Sequence, residues 1–429
     1  SIMKTLALLA VFLLLAVAAA ATGEQQVIRF KPRNLEEANR LLELADELHL
    51  DVWSENRAKG QIDIRFASVP FSQVASRFSS VEHEVYIADV TGVVRTINMM
   101  NMQARLAGAL KSAISPSPLD FFQAYHTYDE IMAWLNSTAE TYPSLTRLET
   151  IGYSVQGNPI VGIHIRSSKG GSNKPMVVYN SLQHAREWIS GATTTYIINQ
   201  LLTGYGKGSQ ITEMVDSIDW FIVPVVNVDG YLWTWNPQGD RLWRKNRRPL
   251  DSSRKCFGID INRNWGYHFK PSKASLMCDE TYAGTVGFSE PENKAIADFL
   301  ASHPTTVGYI DFHSYSELMM WPWAWQAPPP PHNSDVVGLG NKMVQAIAAV
   351  NGVLYTGGQI YEVIYPAYGS SVDFALGVAN VTLPYGIELR DTGTYGFLLP
   401  PNQIIPNGKE IFSAVETMAN YIITNNIRR

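Results

Sequence analysis

Between residues 119 and 429, short apolar runs alternate with longer segments of helical periodicity. The apolar runs are residues 175–179, 220–226, 307–312 and 381–387. The helical segments are residues 129–142, 188–202, 290–301, 336–350 and 406–423. Strands without polar alternation are buried on both faces, so the sheet they form must be covered by helices on each side. We therefore expect one large α/β domain over residues 119–429.

Residues 23–91 show a smaller and different pattern. The strand-like stretches are residues 26–30, 62–66 and 84–90, and the helical stretches are residues 35–48 and 71–78. Asn34 precedes the first helix and Glu37 lies three residues further on, as in a capping box. This order of elements predicts a small α+β open sandwich, in which helices cover one face of a small sheet.

Residues 92–118 connect the two patterns. Apolar residues recur there at helical spacing, and Arg105 and Lys111 are basic residues of the exposed type. The Ser-Pro-Ser-Pro sequence at residues 115–118 cannot continue a helix. We therefore expect a connecting helix and activation segment that a trypsin-like protease cuts after Lys111.

The first 22 residues have the features of a secretory signal peptide. Lys4 precedes an apolar run from Leu6 to about residue 21, and small residues at positions 19–21 offer a cleavage site. A membrane span would need roughly 20 apolar residues, and no later stretch qualifies. We expect a soluble, secreted protein without a membrane partner.

Composition excludes some partners and favours an oxidising compartment. The formal net charge of -5, without a basic stripe, gives no support for nucleic-acid binding. Cys256 and Cys278 are the only cysteines, and secretion would pair them in a disulfide worth about 3 kcal/mol. Two free buried thiols are the alternative.

Three distant segments carry the residues with the clearest chemistry. His184 and Glu187 follow one apolar run, His313 ends another, and Glu388 ends a third. Two imidazoles and one carboxylate are a familiar ligand set for catalytic zinc, and a further carboxylate can serve as general base. Asp260 is a candidate partner for a ligand imidazole. We expect structural roles for the remaining histidines, which are His49, His83, His126, His164, His268, His303 and His332.

Three arginines accompany these segments: Arg186, Arg244 and Arg263. A guanidinium can grip a carboxylate with two parallel hydrogen bonds, which lysine cannot do. It can also stabilise an oxyanion. Ordinary surface arginines in loops are the alternative interpretation.

Together, these residues resemble the secreted zinc metallocarboxypeptidases, and within them the digestive procarboxypeptidase A/B group. The matching strings are residues 184–187, 241–245, 260–265, 311–316, 364–365, 369–373 and 388–400. The last string, Glu-Leu-Arg-Asp-Thr-Gly-Thr-Tyr-Gly-Phe-Leu-Leu-Pro, is the most specific. The resemblance covers almost everything after the signal peptide. It implies a mixed central sheet with helices on both faces, preceded by an inhibitory prodomain over residues 23–91.

The resemblance also implies a role for each matched residue. It implies one Zn²⁺ per chain, held by His184, Glu187 and His313. It implies that Glu388 is the catalytic carboxylate and that Arg244 polarises the scissile carbonyl. Asn262, Arg263 and Tyr365 would bind the terminal carboxylate of the substrate. Arg186, Tyr315 and Phe397 would form outer subsites.

The same resemblance places Val372 where the family members that select basic C-terminal residues have an acid. Ile360 and Ala324 are further candidates for the pocket lining, and Gly386 replaces a residue that is often larger in the family. An apolar pocket favours aliphatic and aromatic side chains and leaves a buried lysine or arginine without a partner. This predicts A-type specificity, and Gly386 would favour bulky rings.

The expected protein is thus a monomeric zymogen secreted into the digestive tract lumen. Its partners would be peptides with a free C-terminus, a trypsin-like activating protease and protein carboxypeptidase inhibitors. The alternatives are a B-type enzyme that prefers lysine or arginine, a non-catalytic homologue that binds peptide C-termini, and an amidase or deacylase on the same fold. The sequence also leaves open whether Glu388 acts through water or attacks the carbonyl directly.

Overall fold

The computed structural model describes residues 25–115, 117–171, 173–253, 255–330 and 333–429. The predicted signal peptide, together with Pro116 and His332, lies outside the described residues. The chain divides into two compact units, with the division between Thr96 and Ile97.

The first unit contains a four-stranded antiparallel sheet in the order β2-β3-β1-β4. Its elements are β1 (Gln26–Lys31), α1 (Leu35–Glu47), β2 (Asp51–Asn56), β3 (Gln61–Phe66), α2 (Phe71–Val74) and β4 (Glu82–Ile87). Ala38, Leu41 and Ala45 bury one face of α1 against the apolar side of the sheet, where Phe30 and Phe66 contribute to the core. The prediction of a small α+β open sandwich is confirmed, although β2 was not anticipated.

The start of α1 differs in one detail from the predicted capping box. The Asn34 side chain accepts a hydrogen bond from the Glu37 amide at 2.9 Å, as an N-cap should. The Glu37 carboxylate accepts from the amide of Arg33 at 2.7 Å and also pairs with the guanidinium of that residue. The prediction is therefore right for Asn34 and wrong for Glu37, because a nearby arginine draws the carboxylate away from the cap.

Helix α3 (Val90–Ile114) crosses the division between the units and ends just before the Ser-Pro sequence. Its first turns belong to the first unit, and from Ile97 onward it belongs to the second. In the second unit Asn101 exchanges two hydrogen bonds with the backbone of Tyr125. These bonds attach the C-terminal part of α3 to the segment that precedes the next helix.

The second unit is built on an eight-stranded mixed sheet in the order β11-β10-β12-β9-β7-β8-β6-β5. The strands are β5 (Thr146–Tyr153), β6 (Pro159–Ile165), β7 (Met176–Ser181), β8 (Asp219–Val223), β9 (Thr306–Ser314), β10 (Leu318–Trp321), β11 (Thr356–Gln359) and β12 (Leu383–Leu389). The central strands β12, β9, β7 and β8 are parallel, whereas β5, β6 and β10 introduce antiparallel pairs. The predicted mixed sheet is confirmed. All four predicted strands lie at its centre.

Helices cover both faces of this sheet, as predicted. They are α4 (Tyr128–Thr141), α5 (Trp188–Gly204), α6 (Ser209–Ser217), α7 (Val228–Trp235), α8 (Pro291–Ser302), α9 (Asn333–Asn351), α10 (Ile360–Val363), α11 (Ser371–Gly377) and α12 (Ile404–Thr424). Helix α12 packs against α9 and α5, whereas α8 packs against β5 and α11. The buried side of α12 includes Ile411, Val415 and Met418, which recur at helical spacing.

Cys256 and Cys278 form the predicted disulfide, with their Cα atoms 4.9 Å apart. The bridge closes a loop of irregular chain that contains residues 260–265, one of the strings that resemble the carboxypeptidases. In the part of the chain that the structure describes, no helix combines the length and the apolarity needed to cross a bilayer.

Candidate active site

Three adjacent parallel strands place the candidate catalytic groups at one edge of the sheet. β9 lies between β7 and β12, so the carboxyl ends of the three strands meet. His184 lies in the loop after β7, and His313 is the second-last residue of β9. Glu388 is the second-last residue of β12 and is directly opposite His313 in the register. Glu187 immediately precedes α5, and its carboxylate completes the group.

The side chains of His184, Glu187 and His313 converge in a geometry that fits a tetrahedral metal ion. His184 Nδ1 is 2.8 Å from Glu187 Oε1, His313 Nδ1 is 3.0 Å from Glu187 Oε2, and the two Nδ1 atoms are 3.1 Å apart. The ligand atoms around zinc at 2.0–2.1 Å would be separated by about 3.3 Å. Among the described residues, this is the group of three potential ligands that converges closely enough to hold a metal ion. The donor set therefore fits zinc.

The electrostatics of this group also favour a cation. Burial by itself would raise the pKa of the Glu187 carboxyl, but the two imidazoles lower it overall. Burial would lower the pKa of His313, yet Asp311 and Glu187 raise it well above its ordinary value. A site that stabilises positive charge on an imidazole also stabilises a bound metal cation.

Each ligand imidazole is hydrogen-bonded to a buried aspartate on the side away from the ligand atoms. His184 Nε2 is 3.2 Å from Asp260 Oδ1, and His313 Nε2 is 2.8 Å from Asp311 Oδ2. Asp260 was anticipated as a partner for a ligand imidazole, whereas Asp311 was missed. The signal for Asp311 was its position two residues before His313, which places both side chains on one face of a strand.

Arg244 shares Asp260 with His184. Its Nε and Nη2 atoms donate to Asp260 Oδ2 at 3.0 and 2.9 Å. Burial would lower the pKa of the guanidinium, but Asp260 raises it overall, so Arg244 is a fixed positive charge. The Arg244 carbonyl also accepts a hydrogen bond from the amide of Ala185, within the loop that carries His184. The arginine is thus held beside the metal group at both its side chain and its backbone.

Glu388 differs from the other carboxylates of the site because it lacks a strong partner. Its Oε2 atom is shielded from solvent and forms no hydrogen bond within the described part of the chain. Burial and the neighbouring Glu187 carboxylate raise the pKa of Glu388 to about 8. A divalent cation held by Glu187 and the imidazoles would oppose that effect and lower the pKa. Glu388 is therefore placed to exchange protons at neutral pH.

Asn262, Arg263 and Tyr365 form a second group beside the metal group. Arg263 donates from Nη1 to the Asn262 carbonyl at 2.7 Å and from Nη2 to the Tyr365 hydroxyl. The Asn262 side-chain amide lies 3.0 Å from His313 Nε2. Arg263 and Tyr365 are half-buried, so their polar groups are not sealed within the core. The geometry can bind an anion next to the metal position.

Arg186, Tyr315 and Phe397 also come together, although they are distant in sequence. The Arg186 guanidinium lies 4.1 Å from the centre of the Phe397 ring, and the rings of Tyr315 and Phe397 meet edge to face at 5.0 Å. All three are buried in the full chain.

Val372 belongs to an apolar group near the start of α11. A Cβ atom added to Gly386 would lie 3.5 Å from Val372 Cγ2 and 3.7 Å from Met320 Cε, which is ordinary van der Waals separation. The glycine therefore leaves space that a larger residue would fill. The adjacent Asp373 carboxylate accepts from the Ala324 amide at 2.9 and 3.1 Å, and burial raises its pKa to about 7.

Comparison with known proteins identifies the family. Residues 131–414 match the zinc carboxypeptidase family, and residues 28–95 match the carboxypeptidase activation peptide family. The chain is 40% identical over 301 residues to a carboxypeptidase B of Astacus astacus, covering 70% of this chain and 97% of that protein.

Two solved structures extend the comparison. The carboxypeptidase A of Helicoverpa armigera has a TM-score of 0.82 at 28% identity, covering 93% of this chain and 98% of that one. The second is bovine thrombin-activatable fibrinolysis inhibitor in complex with tick carboxypeptidase inhibitor. It has a TM-score of 0.65 at 33% identity, covering 71% of this chain and 99% of that one. The chain therefore belongs to the zinc carboxypeptidase family, as a metallocarboxypeptidase that uses zinc and carries the family's activation peptide.

Proposed function

We propose that this chain is the secreted zymogen of an A-type carboxypeptidase, which removes aliphatic and aromatic residues from the C-termini of peptides. The observation that carries the proposal is the position of the Asn262–Arg263–Tyr365 group beside the metal group, with the buried apolar residue Val372 directly after Ser371, whose amide donates to Asn262. An exopeptidase needs these parts together: a receptor for the terminal carboxylate, a reactive centre one peptide bond away, and a pocket for the last side chain.

Arg263 is the receptor for the terminal carboxylate. Its planar guanidinium can donate two parallel hydrogen bonds, and the Tyr365 hydroxyl and Asn262 amide supply further donors. This anchoring places the last peptide bond near the metal ligands, because Asn262 is in contact with His313. An amidase or deacylase would not require such a receptor.

Glu388 is the general base and then the general acid. Zinc in such a site supplies Lewis-acid chemistry, which polarises a carbonyl and makes water more acidic. Glu388 takes a proton from the attacking water and passes it to the leaving amine. Arg244 stabilises the negative charge that develops on the carbonyl oxygen, since Asp260 fixes its guanidinium in place. Arg186, Tyr315 and Phe397 contact the preceding residues of the peptide.

The side-chain preference follows from the groups around Val372. Two acids close to Val372 along the chain or through Ser371 are engaged elsewhere. Asp373, the next residue, accepts from the Ala324 amide, and Asp311 accepts from the Ser371 hydroxyl and also faces His313, Asn180 and Gln183. A C-terminal lysine or arginine would therefore be buried without a free counter-charge. Ile360 and Ala324 extend the apolar lining, and the space at Gly386 suits bulky rings. The relatives include both A and B types, so the residues around Val372 are the support for an A-type preference.

The N-terminal unit is the inhibitory prodomain, over residues 23–91, and residues 92–118 are the connecting helix and activation segment. Three polar contacts hold the C-terminal part of α3 on the second unit. They are the Asn101–Tyr125 bonds, the Arg105–Glu130 ion pair and a Lys111–Asp120 pair at 3.6 Å. Inhibition acts by blocking access to a zinc site that is already formed. Trypsin-like cleavage releases the block.

The catalytic domain, residues 119–429, acts as a monomer in the digestive tract lumen. Its partners are peptides with a free C-terminus, the activating protease and protein carboxypeptidase inhibitors. The bovine relative supports protein inhibitors as partners, because its structure contains a tick carboxypeptidase inhibitor.

Replacing Glu388 with glutamine should abolish turnover while zinc and peptide remain bound. The amide keeps the shape of the side chain but cannot accept the proton, and a general base contributes ~10²–10⁴ to the rate. Activity and zinc content are measured on the trypsin-treated protein. Wild-type turnover in a variant with full zinc occupancy would remove Glu388 from the mechanism.

Amidating the C-terminus of a substrate should abolish cleavage, because Arg263 loses the charge that it binds. Arg263→Ala should have nearly the same effect on the free acid, since breaking a buried charge pair costs roughly 2–5 kcal/mol. Arg263→Lys is the matched control. It keeps the positive charge without the two parallel hydrogen bonds, so its rate of cleavage should lie between those of wild type and Arg263→Ala. Similar rates for amidated and free peptides would rule out an exopeptidase of this type.

The wild-type enzyme should release phenylalanine and leucine from hippuryl-type substrates faster than arginine or lysine. Val372→Asp should narrow or reverse this preference by supplying a counter-charge, whereas Val372→Asn, of similar size but uncharged, should not favour basic residues. The measurement is kcat/KM across the substrate panel. Faster release of arginine than of phenylalanine or leucine by the wild type would refute the A-type assignment.

Trypsin should activate the zymogen by cutting after Lys111, whose side chain is 62% exposed. Arg105 is only 34% exposed and is paired with Glu130, so it should be cut more slowly. Lys111→Gln should therefore delay activation and Arg105→Gln should not. N-terminal sequencing of the large fragment and zinc content before and after cutting complete the test. Full activity of the uncut chain, or a new N-terminus beyond Tyr128, would contradict the proposal.

A further inference from the structure

Asp311 is a fully buried carboxylate that none of the roles described above requires. It lies on β9 two residues before His313, so the two side chains are on the same face of the strand. Its Oδ2 atom is 2.8 Å from His313 Nε2. The opposite ring nitrogen, Nδ1, faces Glu187 at 3.0 Å and His184 at 3.1 Å.

This arrangement favours a proton on Nε2 of His313. Asp311 Oδ2 at 2.8 Å can only accept from that nitrogen, because two acceptors would otherwise face each other. The Asn262 side-chain nitrogen lies 3.0 Å from the same Nε2 and is also 3.4 Å from Asp311 Oδ2, so the carboxylate is the acceptor that both nitrogens share. The lone pair then remains on Nδ1, which points toward the other ligand atoms. In the same way, Asp260 Oδ1 lies 3.2 Å from His184 Nε2. Both imidazoles are thus held by a carboxylate on the side away from the metal position.

Several donors in turn hold the Asp311 carboxylate, coming from separate parts of the chain. Asn180 on β7 donates to Oδ1 at 2.6 Å, and Gln183 donates to Oδ2 at 2.5 Å. The Ser371 hydroxyl donates to Oδ2 at 2.5 Å, and the Asn262 amide lies 3.4 Å from the same atom. A carboxylate held by this many donors cannot rotate freely, so its orientation toward His313 is fixed.

Two of these donors belong to the proposed substrate site. Asn262 is part of the group that binds the terminal carboxylate, and its own oxygen accepts from the Ser371 amide at 2.9 Å. Ser371 directly precedes Val372, which lines the proposed pocket. One buried carboxylate therefore connects a metal ligand, the carboxylate receptor and the wall of the specificity pocket.

We propose that Asp311 is a positioning residue for the zinc site, which fixes the tautomer and the ring orientation of His313. It also fixes the position of His313 relative to Asn262 and to Ser371 at the start of α11. The inference rests on His313 being a zinc ligand, as proposed above. Partners of this kind typically change metal affinity 10–100-fold when they are removed.

The test measures zinc affinity by competition with a chelator, using the full-length chain. Asp311→Ala should weaken zinc binding 10–100-fold, and Asp311→Asn, which keeps the shape and one acceptor, should weaken it less. Ser371→Ala is the matched control, because it removes one donor from the same carboxylate but leaves the Asp311–His313 bond. It should keep zinc affinity within about threefold of wild type.

A second readout separates positioning from a loss of structure. Cobalt(II) substituted for zinc reports ligand geometry through its visible absorption, which should change in Asp311→Asn and remain as in wild type in Ser371→Ala. The thermal unfolding midpoint of each metal-free variant shows whether the fold is intact. If Asp311→Ala does not fold, Asp311→Asn shows whether Asp311 positions His313.

The inference is overturned if Asp311→Ala folds and binds zinc within threefold of wild type. Where Asp311→Ala does not fold, it is overturned if Asp311→Asn keeps both the zinc affinity and the cobalt spectrum of wild type. It is also overturned if Ser371→Ala loses as much affinity as Asp311→Ala, because the effect would then be one of general packing. His313→Ala tests the underlying assignment separately. Undiminished zinc affinity in that variant would mean that His313 is not a ligand, and both proposals would fail for that reason.

Discussion

The parallel pairing of β7, β9 and β12 is the constraint on which the rest of the active site depends. The register of β9 with β12 places His313 directly opposite Glu388. The register of β7 with β9 brings the loop that carries His184 and Glu187 to the same edge. Backbone hydrogen bonds therefore set the positions of groups that are more than 200 residues apart in sequence. A one-residue slip of β12 would turn Glu388 to the other face of the sheet.

The charges that gather at this edge explain why the site fits a cation. Four carboxylates, on Glu187, Asp260, Asp311 and Glu388, lie around two imidazoles and Arg244. Arg244 offsets Asp260 directly, and the imidazoles offset part of the remainder. At Glu388 the negative charge is not fully compensated, because burial and the Glu187 carboxylate together raise its pKa to about 8. Zinc between the imidazoles and Glu187 would relieve that repulsion and leave Glu388 ionised more often, as a general base requires.

The sequence predicted the parts of the fold in which one strong signal decides the structure. The wholly apolar runs gave β7, β8, β9 and β12, because a strand buried on both faces has no polar alternation. Strand β5 was missed because its exposed and half-buried residues lie at the sheet edge, and β11 because it is short and contains two glycines.

Asp311 was missed for a different reason. A lone aspartate near a histidine is common, and its meaning depends on the donors that other strands and loops direct at it. Likewise, only the fold brings Gly386 next to Val372.

The attachment of the activation segment follows from an unusual distribution of residues on α3. In its C-terminal part the small residues Ala104, Gly108 and Ser112 face the rest of the second unit, and they line a cavity of about 730 Å³. The large apolar residues Leu106 and Leu110 are instead 64% and 61% exposed. This part of the helix buries little apolar surface, so the hydrophobic effect contributes little to its attachment. The polar contacts of Asn101, Arg105 and Lys111 add to that attachment. Pairs of this kind are weak individually when they are partly exposed, and they hold best while the chain remains continuous. Under the proposed activation, cutting after Lys111 would end that continuity and leave only these weak contacts to hold the segment.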